Sequence, residues 1–201
     1  MSLFLTWLAV VIILVTSVGL LLAHDWRWPI IFLSAQYGAM FILTLQNWPL
    51  GMAAVKVIAG WMGATILGMT RSSLSIENKI KQENIILPQG RSFRLFAAGI
   101  VGLIALTSAP LVDKMMADAG FAVSAGSLLL IGMGLLHLGV TDDILQVTIG
   151  LMTVLSGFEI IYAAVESSIL VAALLAVITL GLALVGSYLV VASQAQETES
   201  A

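Results

Sequence analysis

The sequence predicts an all-α integral membrane protein, a polytopic bundle of about seven transmembrane helices. The first observation is composition: of 201 residues, 60% are hydrophobic and only 9% are charged, with a mean hydropathy of +1.10. Soluble domains contain about 45–50% apolar and about 25% charged residues. A soluble core of this length cannot enclose so many apolar side chains, whereas lipid can cover them. The composition therefore predicts the lipid bilayer as the environment of the chain.

The second observation is that seven apolar runs divide the chain, each close in length to the ~20 residues that cross the hydrocarbon core. The runs cover 3–23, 29–46, 50–70, 93–112, 124–141, 144–165 and 168–192. They define a three-helix N-terminal membrane segment over 1–70, a cytoplasmic polar loop over 71–92, a four-helix C-terminal membrane segment over 93–193 and a disordered polar tail over 194–201.

Charged, aromatic and proline residues separate the spans. The run His24-Asp25-Trp26-Arg27-Trp28-Pro29 ends the first span, and Pro110 with the acidic stretch after it is expected to end the fourth. Tryptophan favours the membrane–water interface. We therefore expect Trp26, Trp28 and Trp48 in the aromatic belts.

Basic residues give the orientation. Five of the eight Lys and Arg residues lie in or beside the loop between the third and fourth spans, namely Arg71, Lys79, Lys81, Arg91 and Arg94. Cytoplasmic loops carry an excess of Lys and Arg. Counting spans from this loop predicts the N-terminus outside and the C-terminus inside.

Catalytic and cofactor motifs are scarce. The chain contains no cysteine, no phosphate-binding loop, no dinucleotide fingerprint and no His-Glu zinc motif. No basic patch is large enough to suggest a nucleic-acid partner. The sequence predicts no catalytic site of its own, no metal and no cofactor. A haem held by His24 and His137 is geometrically conceivable, but two isolated histidines favour an interfacial His24 and a His137 bonded to a neighbouring helix.

Two ionisable residues lie at membrane depth, where a charge costs about 2.5–3.5 kcal/mol even on lenient scales. They are Lys56 in the third span and Glu159 in the sixth. At 1.5 Å per residue each lies ~9 Å from the outer end of its span. Because the opposite charges share a depth, the sequence predicts that they pair, which lowers the cost of both.

The sixth span also carries a polar stripe on one helix face, with spacings of three and four residues. Its members are Thr148, Met152, Ser156, Glu159, Tyr162 and Glu166. Such a stripe must face protein or water. Two interpretations stay open: hydrogen bonding between helices, or part of a proton or ion path lined by the two glutamates.

Smaller polar and glycine patterns precede this stripe. Gly60, Gly63 and Gly68 follow Lys56 in the third span and predict close helix contact. The pair Gln36-Tyr37 in the second span predicts hydrogen bonding between helices, with a polar cavity as the alternative.

The last third of the chain resembles the small three-helix subunit K of bacterial complex I. The resemblance rests on the run Asp142-Asp143-Ile144-Leu145-Gln146-Val147-Thr148-Ile149-Gly150-Leu151 and on Glu166-Ser167-Ser168-Ile169-Leu170. Residues 1–70 resemble the front half of hydrogenase-4 component E, where a polar-aromatic second span precedes a third span with an intramembrane lysine. By motif, Glu166 corresponds to the acid of the last helix in subunit K, and Lys56 corresponds to the lysine of component E.

Where the subunit K family has a glutamate after Ile-Gly-Leu, this chain has Met152, and Glu159 follows seven residues later on nearly the same face. Either the acid is relocated or the family's proton path is interrupted here.

The resemblance implies a non-catalytic subunit of a proton- or cation-translocating complex in the cell (inner) membrane. Its partners would be other membrane subunits, of the antiporter-like kind. The predicted path residues are Lys56, Glu159 and Glu166 with Thr148, Ser156 and Tyr162. The alternatives are a stand-alone small ion or solute transporter and a purely structural membrane anchor.

Overall fold

The computed structural model describes residues 3–23, 25–77, 90–116 and 119–199, which form seven α-helices and no β-strand. The helices are α1 (Leu3–Leu22), α2 (Arg27–Thr44), α3 (Leu50–Glu77), α4 (Arg91–Met115), α5 (Phe121–Gly139), α6 (Ile144–Val165) and α7 (Ile169–Glu199). The predicted all-α membrane bundle is confirmed. His24, the stretch 78–89 of the predicted polar loop and the last two residues of the predicted tail lie outside the described residues.

Six of the helices in the described part of the chain, all but α2, are long and apolar enough to cross a membrane. The 18 residues of α2 span ~27 Å, which is close to the hydrocarbon thickness, but Gln36 and Tyr37 lower its hydropathy. Both side chains are buried, because α2 packs against α1, α3, α5 and α6. A central helix needs a less apolar surface than one that faces lipid on several sides.

Local chemistry explains several helix ends. The carboxylate of Asp143 caps α6 by accepting a hydrogen bond of 3.3 Å from the backbone N–H of Gln146. Between α4 and α5, Asp113 Oδ1 accepts a hydrogen bond of 2.8 Å from the N–H of Gly120, whose φ of 109° favours glycine. Pro110 lies inside α4 instead of ending it, since transmembrane helices tolerate the loss of one backbone hydrogen bond.

Helix α7 extends beyond its predicted end at residue 192. It runs to Glu199 and so includes most of the segment 194–201 that was predicted to be disordered. The added residues include Gln194, Ala195, Gln196 and Glu197. Alanine, glutamine and glutamate favour helix, and the segment contains no proline or glycine that would end one.

The helices pack as two four-helix groups that share α2 and α6. The α3/α7 group contains α2, α3, α7 and α6, each packed against the next. The α1/α5 group contains α1, α2, α6 and α5. Helix α4 lies outside both groups, on α5 and α1, and buries only a face of small residues: Ala98, Gly102, Ala105 and Ala109.

Candidate functional site

Lys56 and Glu159 form an ion pair at the centre of the α3/α7 group. The Lys56 ammonium donates to Glu159 Oε1 at 2.5 Å, and the two side chains are 2% and 1% exposed. The predicted pairing is confirmed. It follows from helix direction: α3 begins and α6 ends on the same side of the bundle, where Trp48 and Met52 pack with Ala163. Each charge therefore lies about two helical turns from that side.

The pair joins two helices that do not pack closely against each other. Among the described helices, α3 contacts mainly α2 and α7, and α6 contacts mainly α2, α5 and α7. The long Lys56 side chain therefore crosses the centre of the group to reach Glu159. Both charges are enclosed by protein, because α2 and α7 close the remaining two sides.

Helices α2 and α7 add polar side chains to the pair. Thr179 in α7 lies 3.4 Å from Glu159 Oε1 and also donates to the backbone carbonyl of Leu175 at 2.9 Å. In α2, the buried Tyr37 hydroxyl faces Ser156 and Thr179 and lies within the electrostatic reach of Glu159. All four helices of the group thus contribute to the site.

The glycines of α3 make room for this arrangement, as the sequence predicted. A Cβ atom at Gly60 would lie 2.3 Å from the Tyr37 ring, and one at Gly63 would lie 2.8 Å from Met152 Cε. Contacts this short require something to move. Gly60 therefore allows the Tyr37 ring to pack against α3 about one helical turn from Lys56.

An apolar layer closes the site on the predicted outer side. Trp48, Met52, Ala163 and Ala172 are buried together, with the half-buried Tyr162 against them. The Trp48 and Tyr162 rings meet edge to face, with centroids 6.1 Å apart, and the Trp48 indole N–H donates to the backbone carbonyl of Glu166 at 2.8 Å. Trp48 is 3% exposed, so its indole packs against protein and not against lipid.

A second apolar layer lies on the predicted cytoplasmic side. Met152 is fully buried, and its methyl group would lie 2.8 Å from a Cβ atom at Gly63, beside Ala183 of α7. The resemblance to subunit K would place a glutamate at this position. Here the position is filled by an apolar side chain that separates the ion pair from the other half of the bundle.

The polar stripe of α6 faces protein. Thr148, Ser156 and Glu159 are buried. Thr148 lies against Gly186 of α7, and Ser156 lies near Tyr37. Glu166 is not part of the buried cluster. It is exposed at the end of α6, where its carboxylate accepts from the N–H of Ser167 at 3.2 Å.

Two further polar networks lie in the α1/α5 group. Gln36 donates to Ser17 Oγ at 2.8 Å and accepts from Thr153 Oγ1 at 3.3 Å, which joins α1, α2 and α6. His137 Nε2 lies 3.0 Å from Gln146 Oε1, which matches the interpretation of His137 as bonded to a neighbouring helix. In the described part of the chain, no three His, Cys, Asp or Glu residues are grouped to hold a metal.

Sequence reasoning missed the roles of Thr179, Ser17 and Thr153, and it did not place Tyr37 at the ion pair. Thr179 and Thr153 each donate to a carbonyl of their own helix. A hydroxyl satisfied in this way is tolerated anywhere in a membrane helix, so it gives no signal in the sequence. Only the neighbouring helix reveals what else the oxygen contacts.

The resemblance to subunit K and component E stays a prediction. Comparison with protein-family models, with curated proteins and with solved structures finds no significant match to this chain.

Proposed function

We propose that this chain is a non-catalytic membrane subunit of a proton- or cation-translocating complex, related to complex I and to membrane-bound hydrogenases. The observation that carries the proposal is the Lys56–Glu159 ion pair, buried at membrane depth between two apolar layers. Its partners would be antiporter-like membrane subunits, and its location the cell (inner) membrane. A redox partner or an ion gradient would supply the energy.

Stability alone does not account for the pair. Replacing a buried ion pair by apolar side chains of similar volume is often neutral or stabilising. The same group joins α3 to α7 and α6 to α7 with hydroxyls and glycines, through Thr70 with Ser187 and Thr148 with Gly186. Since ionisable residues inside membranes commonly mark ion and proton pathways, the pair favours a function over a packing role.

The pair is suited to act as a charge switch. In the structure the two charges neutralise each other, and both are enclosed by protein. Adding a proton to Glu159 or removing one from Lys56 would leave a single charge in a site of low polarity, which is costly. That cost drives either a second proton or ion movement or a rearrangement of the helices, and this coupling is what a translocating subunit requires.

The two apolar layers lie at different distances from the ion pair. Along α6, Ala163 lies roughly 6 Å on the outer side of Glu159, and Met152 lies roughly 10 Å on the cytoplasmic side. The nearer layer is on the outer side, which also holds Glu166, Tyr162 and Trp48. We therefore propose that exchange with the outer side passes the Trp48–Tyr162 contact, with Glu166 as the exposed acid beyond it. Ser156 and Thr148 would lie along the longer inner route.

The test is Glu159→Gln, which keeps the shape and the hydrogen bonding but removes the charge. The intact complex is purified in mild detergent and reconstituted, and ion translocation is measured. We expect the complex to assemble and translocation to be lost. The control Glu166→Gln, at an exposed position, should assemble equally well and reduce translocation less.

Lys56→Met combined with Glu159→Gln provides a second variant, because it leaves no buried charge to disturb folding. Full translocation by an assembled Glu159→Gln complex would contradict the proposal and leave a structural role. A self-associating chain that moves a solute without partner subunits would instead support the stand-alone transporter.

A further inference from the structure

Two buried polar atoms at the centre of the α3/α7 group have no hydrogen-bond partner among the described residues. They are the hydroxyl of Tyr37 and the second carboxylate oxygen of Glu159, Oε2. Both side chains are 1% exposed. Within the hydrocarbon region no bulk water satisfies such groups, so each must find a partner inside the protein.

The neighbouring hydroxyls do not donate to either atom. Ser156 Oγ donates to the carbonyl of Met152 at 2.8 Å, and Thr179 Oγ1 donates to that of Leu175 at 2.9 Å. Both hydroxyls face Tyr37 without forming a hydrogen bond of good geometry with it. The Lys56 ammonium has three N–H donors, and its one hydrogen bond within the described residues is to Glu159 Oε1.

The unsatisfied groups are complementary. Tyr37 and Lys56 offer donors, Glu159 Oε2 is an acceptor, and a ligand that both donates and accepts would satisfy all three. The Lys56–Glu159 pair is already neutral, so a metal cation would add an uncompensated charge at membrane depth. A neutral ligand avoids that cost. Water is the smallest one, and buried waters typically hold two to four polar partners.

We infer that Tyr37, Glu159 and Lys56 form a binding site for water inside the membrane. The bound water accepts from the Tyr37 hydroxyl and donates to Glu159 Oε2, and Lys56 supplies a further donor. Tyr37 is then a positioning residue, since it holds the water against the oxygen of Glu159 that Lys56 does not use. A role of this water in proton transfer rests on the proposed function, whereas its binding does not.

Tyr37→Phe tests the site, because phenylalanine keeps the ring that packs against Gly60 and removes only the hydroxyl. If the hydroxyl is dry and unpaired, its loss is neutral or stabilising. If it holds water against a carboxylate, its loss should lower the ratio of folded to unfolded protein roughly tenfold. Tyr188→Phe is the matched control, since that side chain is 72% exposed and should leave the ratio unchanged.

Infrared difference spectra of the whole chain, wild type minus Tyr37→Phe, provide the second readout. We expect a bound-water O–H stretching band that shifts when H₂¹⁸O replaces H₂¹⁶O, together with a change in the carboxylate bands. Unchanged or increased stability of Tyr37→Phe would overturn the inference. So would a loss of stability without an isotope-sensitive band, which would mean that the Tyr37 hydroxyl bonds directly to a protein group such as Ser156 or Thr179. Neither readout measures translocation, so a complex that pumps normally with Glu159→Gln would refute the proposed function and leave the water site standing.

Discussion

The α1/α5 and α3/α7 groups share two helices, yet they hold their polar side chains in different ways. In the α1/α5 group, the Gln36 amide is satisfied by Ser17 and Thr153, and the network carries no charge. In the α3/α7 group, adjacent Tyr37 faces an ion pair in which Glu159 Oε2 has no partner among the described residues. A neutral amide therefore suffices to join three helices. Packing alone therefore does not require the charges of the α3/α7 group.

The largest effect should come from removing one charge of the pair. Lys56→Met or Glu159→Leu leaves the other charge buried and alone, which should cost about 3–5 kcal/mol in the free energy of unfolding. Both replacements are close in volume to the original side chain, so cavity formation adds little. Unfolding in mixed micelles measures the cost.

The double variant, Lys56→Met with Glu159→Leu, completes the cycle and should recover most of the loss. Additive losses would mean that Lys56 and Glu159 do not interact. Such a result would also mean that the α3/α7 group does not differ from the α1/α5 group by a coupled pair of charges.

The sequence was sufficient to predict the fold class and the ion pair for a physical reason. An intramembrane charge is costly, and such a residue needs a partner within reach. Lys56 and Glu159 are the two such residues at matched depth, and they lie on antiparallel spans. Their depths alone therefore predicted a contact between residues that are 103 positions apart in the chain. Met152 lies on the predicted face of α6, although its fully buried packing between α3 and α7 was not predicted. Glu166 lies just beyond the end of α6 and is exposed.

The next effect in size concerns the fit of Tyr37 against α3. Gly60→Ala places a methyl group 2.3 Å from the Tyr37 ring, and overpacking of this kind typically costs about 1–3 kcal/mol. The displaced ring should also disturb the ion pair, so translocation should fall together with stability. Thermal unfolding and translocation are measured on the same preparation.

Gly181→Ala in α7 is the matched control for Gly60→Ala. Nothing lies within 4 Å of a Cβ atom at Gly181, and alanine favours helix over glycine. This variant should be neutral or slightly stabilising. Equal losses at both glycines would mean that the contact with Tyr37 has no special role.

The parts that sequence reasoning missed depend on which surface covers a residue. Trp48 has an amphipathic ring that suits a membrane interface and a protein interior equally well, and only the packing of Ala163 and Ala172 selects the interior. Helix α2 does not reach the hydropathy of a membrane span, and it buries the polar residues Gln36 and Tyr37 against four other helices. The central position that allows this is not a local property of its sequence. Thr179 pairs with its own backbone and so gave no signal.

The smallest effect is expected in the neutral network. Gln36→Leu conserves volume and removes two hydrogen bonds, and interhelical hydrogen bonds in membranes average about 0.6 kcal/mol each. Thr153 keeps its bond to the carbonyl of Ile149, and the Ser17 hydroxyl can turn to its own helix. We therefore expect a loss of about 1 kcal/mol in the free energy of unfolding, with translocation unchanged because Tyr37, Lys56 and Glu159 stay in place. A loss as large as that of Lys56→Met, or a loss of translocation, would show that the amide network and the ion pair act as one unit across α2 and α6.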